Sequence, residues 1–164
     1  LCLSKGDRFD WAIQKATELG VGAIAPLQSE RVDFSIPPDR MEKRIAHWQQ
    51  IAISACEQCG RVKVPSITPP QSLVSWVDNA SAEQKWVLHC ADDTSASASA
   101  VTHGAPRDAA LLIGPEGGLT DQEFAAASAE GFQLLQLGPR VLRTETAPAA
   151  ALSVLGVFWG EMPS

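Results

Sequence analysis

Apolar residues recur at helical spacing through Phe9, Ala12, Ile13, Ala16 and Leu19. Asp7 stands where a cap belongs, Asp10 sits near the N-terminal dipole and Gly20 supplies a stop, which predicts a first helix over 8–19. The short run VGAIAPL reads as a strand. Helical spacing returns in Met41, Ile45, Trp48, Ala52 and Ala55, predicting a long helix from about Pro38-Asp39 to Cys59 that Gly60 ends. VKVPSI then reads as a strand, SLVSWV as a short helix and KWVLHCA as a strand. After a polar stretch without periodicity, DDTSASASAVTHGAPRD, comes the strand AALLI and a glycine-rich loop. Thr120, with Glu123 three residues on, is a capping box that opens the next helix. Gly131 stops it, FQLLQL is a strand, Gly138-Pro139 turns the chain, and a last helix is expected around Pro148.

Apolar strands alternating with amphipathic helices predict an α/β domain built on a mostly parallel, buried sheet with flanking helices. Ligands in such sheets sit beyond the carboxyl ends of the strands. Three loops qualify, those after Val87-Leu88, Ile113 and Leu137, and they are expected to converge. With 164 residues the chain is read as one domain, 1–164, large enough to bury a core. The polar stretch before AALLI is read as a surface connection within it. The start LCLSKGDRFDW has neither an initiating Met nor signal-peptide features, so an excised domain is expected. No apolar run approaches the roughly 20 residues of a membrane helix.

The formal charge of −6 argues mildly against nucleic acid, yet its distribution is uneven: +1 over residues 1–63 and −7 over the remainder. The basic groups of the first part include Lys5, Arg8, Lys15, Arg31, Arg40, Lys43, Arg44, Arg61 and Lys63. Such asymmetry permits a polyanion-facing side, although solvated helix faces give the same pattern. Cys56 and Cys59 lie near the end of a helical pattern, and Cys2 and Cys90 are isolated. Neither a zinc nor a redox arrangement is expected from that spacing; reduced cytosolic thiols are the plainer account.

The loop LLIGPEGGLT carries the first candidate chemistry. It follows a buried strand and opens a helix, as a phosphate-binding turn would, but Glu116 sits at its centre. Neither a dinucleotide fingerprint nor a Gly-Lys-Ser/Thr loop is present. Glu116 would also repel a pyrophosphate, at a cost on the order of several kcal/mol near 4 Å in a partly dry site. A neutral or cationic ligand suits it better: Pro115 stiffens the backbone, and Gly117 and Gly118 admit a flat ring closely. A plain tight turn with an exposed Glu remains the alternative. The second candidate is LGPRVLRTETAPAAA, a rigid turn followed by Arg143, Thr144, Glu145 and Thr146. Behind them, Ala147, Ala149, Ala150, Ala151 and Gly156 make a helix thin enough for close backbone packing.

KATELGV, PLQSER, ACEQCGR, IGPEGG and LGPRVLRTETA occur in that order and span nearly the whole chain. With them the sequence resembles the methyltransferase domain of the ribosomal RNA small subunit methyltransferase E family, within the SPOUT superfamily. The resemblance implies a deep C-terminal trefoil knot, rare among folds, and a homodimer built partly from knot helices. It implies S-adenosylmethionine as donor, N3 of one uridine in small-subunit (16S) ribosomal RNA or the 30S subunit as acceptor, and a cytoplasmic location. It also implies an N-terminal PUA-like RNA-binding domain, absent from this chain.

By the same resemblance, Leu88, Gly114, Leu137, Gly138, Val141 and Leu142 would line the adenosine pocket. Pro115, Gly117, Gly118, Thr146 and Ala147 complete the expected cofactor set, with Glu116 or Glu145 offsetting the ligand's positive charge. Uridine N3 must lose a proton, so a base or a cation that stabilises the imide anion is needed. Arg143 is the first candidate cation, Arg61 and Lys15 the next, and Glu145 a candidate base. Lys15, Arg31 and Arg61 are candidate RNA contacts. Each has a structural alternative: Arg143 with Glu145, and Lys15 with Glu18, could simply be ion pairs. His89 borders a candidate loop but suits packing, His47 and His103 read as surface residues, and Trp11, Trp48 and Trp159 as core or dimer contacts. Two other classes compete: a non-catalytic RNA-binding or ribosome-assembly factor, or a SPOUT methyltransferase with a different RNA target. A nucleotide-dependent oxidoreductase is disfavoured by the loop chemistry.

Overall fold

The computed structural model describes residues 1–88 and 104–160. His89, Cys90, His103 and most of the polar connection lie outside the described residues. Helix α1 (Arg8–Glu18) and helix α2 (Pro38–Cys59) pack on each other. Phe9 meets Trp48 with ring centroids 4.7 Å apart, and the Trp48 indole N–H donates to Asp10. Gly60 adopts φ +78 and closes α2. The first helix differs in detail from expectation. Asp7 stands at its N-terminus without a side-chain cap bond, and Thr17 is buried in its apolar stripe while Leu19 is not. Thr17 tolerates burial because its hydroxyl donates to the Ile13 carbonyl at 2.8 Å.

The strand expected over VGAIAPL is two short pieces, β1 (Ala23–Ile24) and β2 (Leu27–Gln28), broken at Pro26, which has no N–H to give a ladder. For the same reason the segment after α2 keeps only β3 (Ser66–Ile67) and β4 (Gln71–Ser72), between which lie Pro69 and Pro70. Strand β1 pairs with β3, and β2 with β4, both parallel. Helix α3 (Leu73–Asn79) follows, its Ser72 hydroxyl accepting from the Ser75 amide.

The principal sheet is β5 (Gln84–Leu88), β6 (Ala109–Ile113) and β7 (Gln133–Leu135), parallel in the order β6-β5-β7. Residues 1–3 join it to the β2 side. The Cys2 amide donates to the Ile113 carbonyl, and the Leu3 amide to that of Leu27, each at 2.9 Å. Between β6 and β7 runs α4 (Asp121–Ala129), with both halves of the expected capping box in place. Helix α5 (Thr146–Trp159) begins two residues before Pro148. Proline is accepted there because first-turn amides lack helical partners anyway. Its small face is buried through Ala147, Ala151 and Gly156, and Leu155 and Ala151 pack with Trp86 and Leu135. Trp48 is core, whereas Trp11 is 42% exposed. Among the described residues no helix is long and apolar enough to cross a membrane.

Candidate functional site

Register brings three strand ends to one level. Leu88 pairs with Ile113 on one side and with Leu135 on the other. The segments leaving β6 and β7 therefore emerge together, and between them lies a cleft of about 740 Å³; the loop after Val87-Leu88 lies outside the described residues. That size is ordinary for a small-molecule site. Leu88, Ile113 and Leu135 form its floor. One wall is the loop Gly114–Leu119; the other is the run from Gln136 to Glu145, with Ala147 behind it.

The glycines have separable roles. A Cβ on Gly114 would lie 3.1 Å from Leu119 Cγ and 3.3 Å from the Leu119 amide nitrogen, so the loop closes only around a bare backbone. Gly138 has φ +104 with nothing within 4 Å of a Cβ, so it is required by conformation and leaves open space beside it. Across the second wall, the Thr146 and Ala147 amides both donate to the Arg143 carbonyl at 2.9 Å, which pins the backbone at the start of α5. Arg143 is exposed, Thr144 buried and Glu145 partly buried. No ion pair joins Arg143 to Glu145 among the described residues.

Of the residues named from the sequence, Leu88, Gly114 to Gly118, Leu137, Gly138, Val141, Leu142, Arg143, Glu145 and Ala147 line this cleft, and so does Arg31. Thr146 does not line it; it is exposed as the first residue of α5. Lys15 and Arg61 are elsewhere. Lys15 pairs with Glu18 one turn along α1 at 2.7 Å. The Arg61 guanidinium donates to the carbonyls of Thr17, Gly20 and Val21, satisfying the C-terminal end of α1. Arg61→Ala is expected to leave those carbonyls short of a donor and to cost about 2 kcal/mol. The melting temperature should fall by roughly 4–8 °C, with ligand affinity at the cleft unchanged. An unchanged melting temperature together with weakened RNA binding would instead make Arg61 an RNA contact.

Two charged lining residues were not singled out as site residues from the sequence, Arg8 and Arg140. Arg8 pairs with Glu116 at 2.9 Å, across 108 positions of sequence. Arg31 lies over the glycine loop: its guanidinium donates to the Gly117 carbonyl at 2.7 Å and its stem packs on Gly117. The loop's carboxylate is therefore not alone. Among the described residues four arginines, Arg8, Arg31, Arg140 and Arg143, surround two carboxylates, Glu116 and Glu145, which makes this set net positive in an acidic chain. Repulsion of anions by Glu116, expected from the sequence, is offset at the rim by these cations.

A buried carboxylate supports the glycine wall from behind. Glu123, 2% exposed, accepts from the Thr120 amide through Oε2 and from the Glu30 amide through Oε1, each at 2.9 Å. The first bond completes the α4 cap. The second holds the turn that carries Arg31. The capping box was legible in the sequence; the tie to Glu30 was not.

The described cysteines, Cys2, Cys56 and Cys59, stand apart from this cleft. Burial pushes the Cys2 thiol up to about 12, which leaves almost no thiolate near neutral pH. Cys56 is buried in α2 and Cys59 exposed at its end. Among the described residues no group of three or more His, Cys, Asp or Glu could hold a metal ion.

A family model described as an RNA methyltransferase domain matches residues 1–156. A Neisseria gonorrhoeae ribosomal RNA small subunit methyltransferase E, solved bound to S-adenosyl methionine, superposes with a TM-score of 0.86 at 41% identity, covering 96% of this chain and 64% of that one. A Legionella pneumophila chain solved with the cofactor SAM gives 0.88 at 44% identity, over 94% of this chain and 63% of that one. The ribosomal RNA small subunit methyltransferase E of Bacillus subtilis is 36% identical over 159 residues, 93% of this chain and 62% of its own length. The chain thus spans somewhat under two thirds of the relatives it matches.

Proposed function

The chain belongs to the RNA methyltransferase domain family, and from that premise we propose that its cleft binds S-adenosylmethionine and directs methylation of N3 of a uridine in small-subunit ribosomal RNA. The observation that carries this reading is the meeting of two glycine turns at three flush strand ends beneath a rim of arginines. The residues present fit the donor. Open space beside Gly138 admits a flat ring against bare backbone. Glu116 and Glu145 are the carboxylates available to a cation. Relatives solved with the donor share the fold at over 40% identity.

When bound, S-adenosylmethionine supplies an electrophilic methyl on a sulfonium. The protein's part is to align and activate the acceptor. Uridine N3 is weakly acidic, so Arg143, exposed at the mouth with its backbone pinned, stabilises the imide anion, and Glu145 accepts the proton. Arg31 and Arg140 meet the phosphates on either side of the base. In this reading Arg61 and Lys15 serve the fold of α1. The finer features implied by the family belong to the same proposal: a knotted C-terminal segment, a homodimer, a cytoplasmic location and a PUA-like domain in the whole protein.

Arg8 and a cationic ligand compete for Glu116. Glu116→Gln is expected to weaken S-adenosylmethionine binding. Arg8→Ala is expected to strengthen it by up to roughly fivefold, because half-exposed pairs are worth about 0.2–1 kcal/mol. Isothermal titration checks the signs; two shifts in the same direction would remove Glu116 from the cationic end of the ligand.

The test of the function is transfer of labelled methyl from S-adenosylmethionine to 30S subunits, with the product located by mass spectrometry of the ribosomal RNA. A labelled N3-methyluridine is the expected result. RNA binding that is indifferent to the donor, with no label transferred, would favour an assembly factor. Label at another nucleotide would keep the chemistry and change the target.

A further inference from the structure

A second groove, of about 520 Å³, lies between the segment from Phe34 to Pro37 and the first half of α2. Resting on the RNA methyltransferase reading, we propose that this groove holds single-stranded ribosomal RNA flanking the target nucleotide, a base lying against Phe34 and phosphates against Arg40 and Lys43.

Phe34 and Ile36, both partly exposed, provide its apolar floor. Arg40, Lys43, Arg44 and His47 line it from α2 at the spacing of one helix face. Among the described residues no carboxylate lines it. Asp39 and Glu42, on the same helix, do not border the groove, and nearby Asp33 is paired with Lys5 at 2.7 Å. His47 is engaged by Asp10, and Arg44 lies 5.7 Å from the Trp48 ring centroid. Arg40 and Lys43, by contrast, are exposed and form no ion pair with any described residue. Unpaired cations over an aromatic floor, on a chain of net charge −6, match the alternation of base and phosphate in a single strand.

Position supports the same occupant. Arg31 rests on the glycine loop of the cleft, and three residues later Phe34 begins the groove. Their Cα atoms can be no more than about 11 Å apart. That connection is held in shape, since the Gln28 side-chain amide donates to the carbonyls of Val32 and Phe34 at 3.0 and 3.1 Å. A uridine offering N3 must be unpaired, so its neighbours are the single-stranded nucleotides such a track would hold.

The double variant Arg40→Glu, Lys43→Glu changes only exposed side chains. With an RNA oligonucleotide bearing the target uridine, it is expected to raise KM for RNA at least about tenfold. The affinity for S-adenosylmethionine and kcat should not change. Its log-log salt dependence should flatten by roughly 1 to 2, the signature of two lost phosphate contacts. Phe34→Leu keeps an apolar side chain and removes the ring; it should raise KM severalfold without altering the salt slope. Unchanged KM and slope in the double variant would overturn the proposal. So would unchanged RNA kinetics with an altered sedimentation coefficient, which would make the groove a protein contact. Failure of the unmodified protein to bind S-adenosylmethionine would instead sink the reading on which the groove depends.

Discussion

Gly114→Val is expected to lower S-adenosylmethionine affinity by at least about a hundredfold, equivalent to roughly 2.7 kcal/mol. The physical cause is close packing rather than backbone freedom. Even an alanine Cβ would sit 3.1 Å from Leu119 Cγ and 3.3 Å from the Leu119 amide nitrogen. Leu119 is 2% exposed and packed in the core, so it cannot swing aside cheaply. The glycine loop must move instead, at an overpacking cost of about 1–3 kcal/mol. The same displacement carries Glu116 and Gly117 away from Arg8 and Arg31. Gly138→Val provides the contrast. Nothing crowds its Cβ, but φ +104 is closed to L-residues, so the turn re-forms or the side chain enters the cleft. Binding should again be lost, with a smaller fall in melting temperature than for Gly114→Val because the turn is exposed. Isothermal titration and thermal melts of both variants give the comparison. Donor binding of ordinary strength in both would mean that the two turns do not clasp the ligand.

What the sequence revealed here was local chemistry. The Thr120–Glu123 box, the αL glycine after α2 and the apolar strand β6 depend on residues within a turn or two of one another, and each falls where the pattern placed it. Convergence of the loops after β6 and β7 was legible too, because a parallel sheet sends its strand ends to the same side. Short strands were overestimated where prolines deny ladder bonds. The start of α5 was set late because Pro148 is compatible with several first-turn positions. What periodicity could not disclose was pairing between distant side chains. Arg8 meets Glu116, Arg31 meets Gly117 and Arg61 meets the end of α1, at separations of 108, 86 and some 40 residues. Each depends on how helices and loops are stacked, and the same stacking turned a carboxylate-bearing loop into a net positive rim. Charge at a site is a property of the assembled neighbourhood, which a linear reading of one loop does not contain.

Glu123→Ala is expected to be the most destabilising of the polar substitutions. Removing the carboxylate strips the acceptor from two amides at once, that of Thr120 and that of Glu30. A donor left unsatisfied away from water costs about 1–3 kcal/mol; both bonds here are partly buried, so the pair should cost roughly 3 kcal/mol. For a chain of this length that is a fall of roughly 6–12 °C in melting temperature. Glutamine recovers only part of this. Its shape is right, but one of its two terminal atoms is a donor and would face another N–H. Glu123→Gln should therefore melt between the alanine variant and the unmodified protein. The loss also reaches the cleft, because the Glu30 bond holds the turn from which Arg31 extends to the Gly117 carbonyl. RNA affinity should consequently fall in both variants at temperatures well below melting, and donor affinity should fall less. A Gln variant as stable as the unmodified protein would show that one acceptor suffices and that Glu123 is a helix cap alone. Loss of stability with RNA affinity intact would separate the fold of the turn from the work of Arg31.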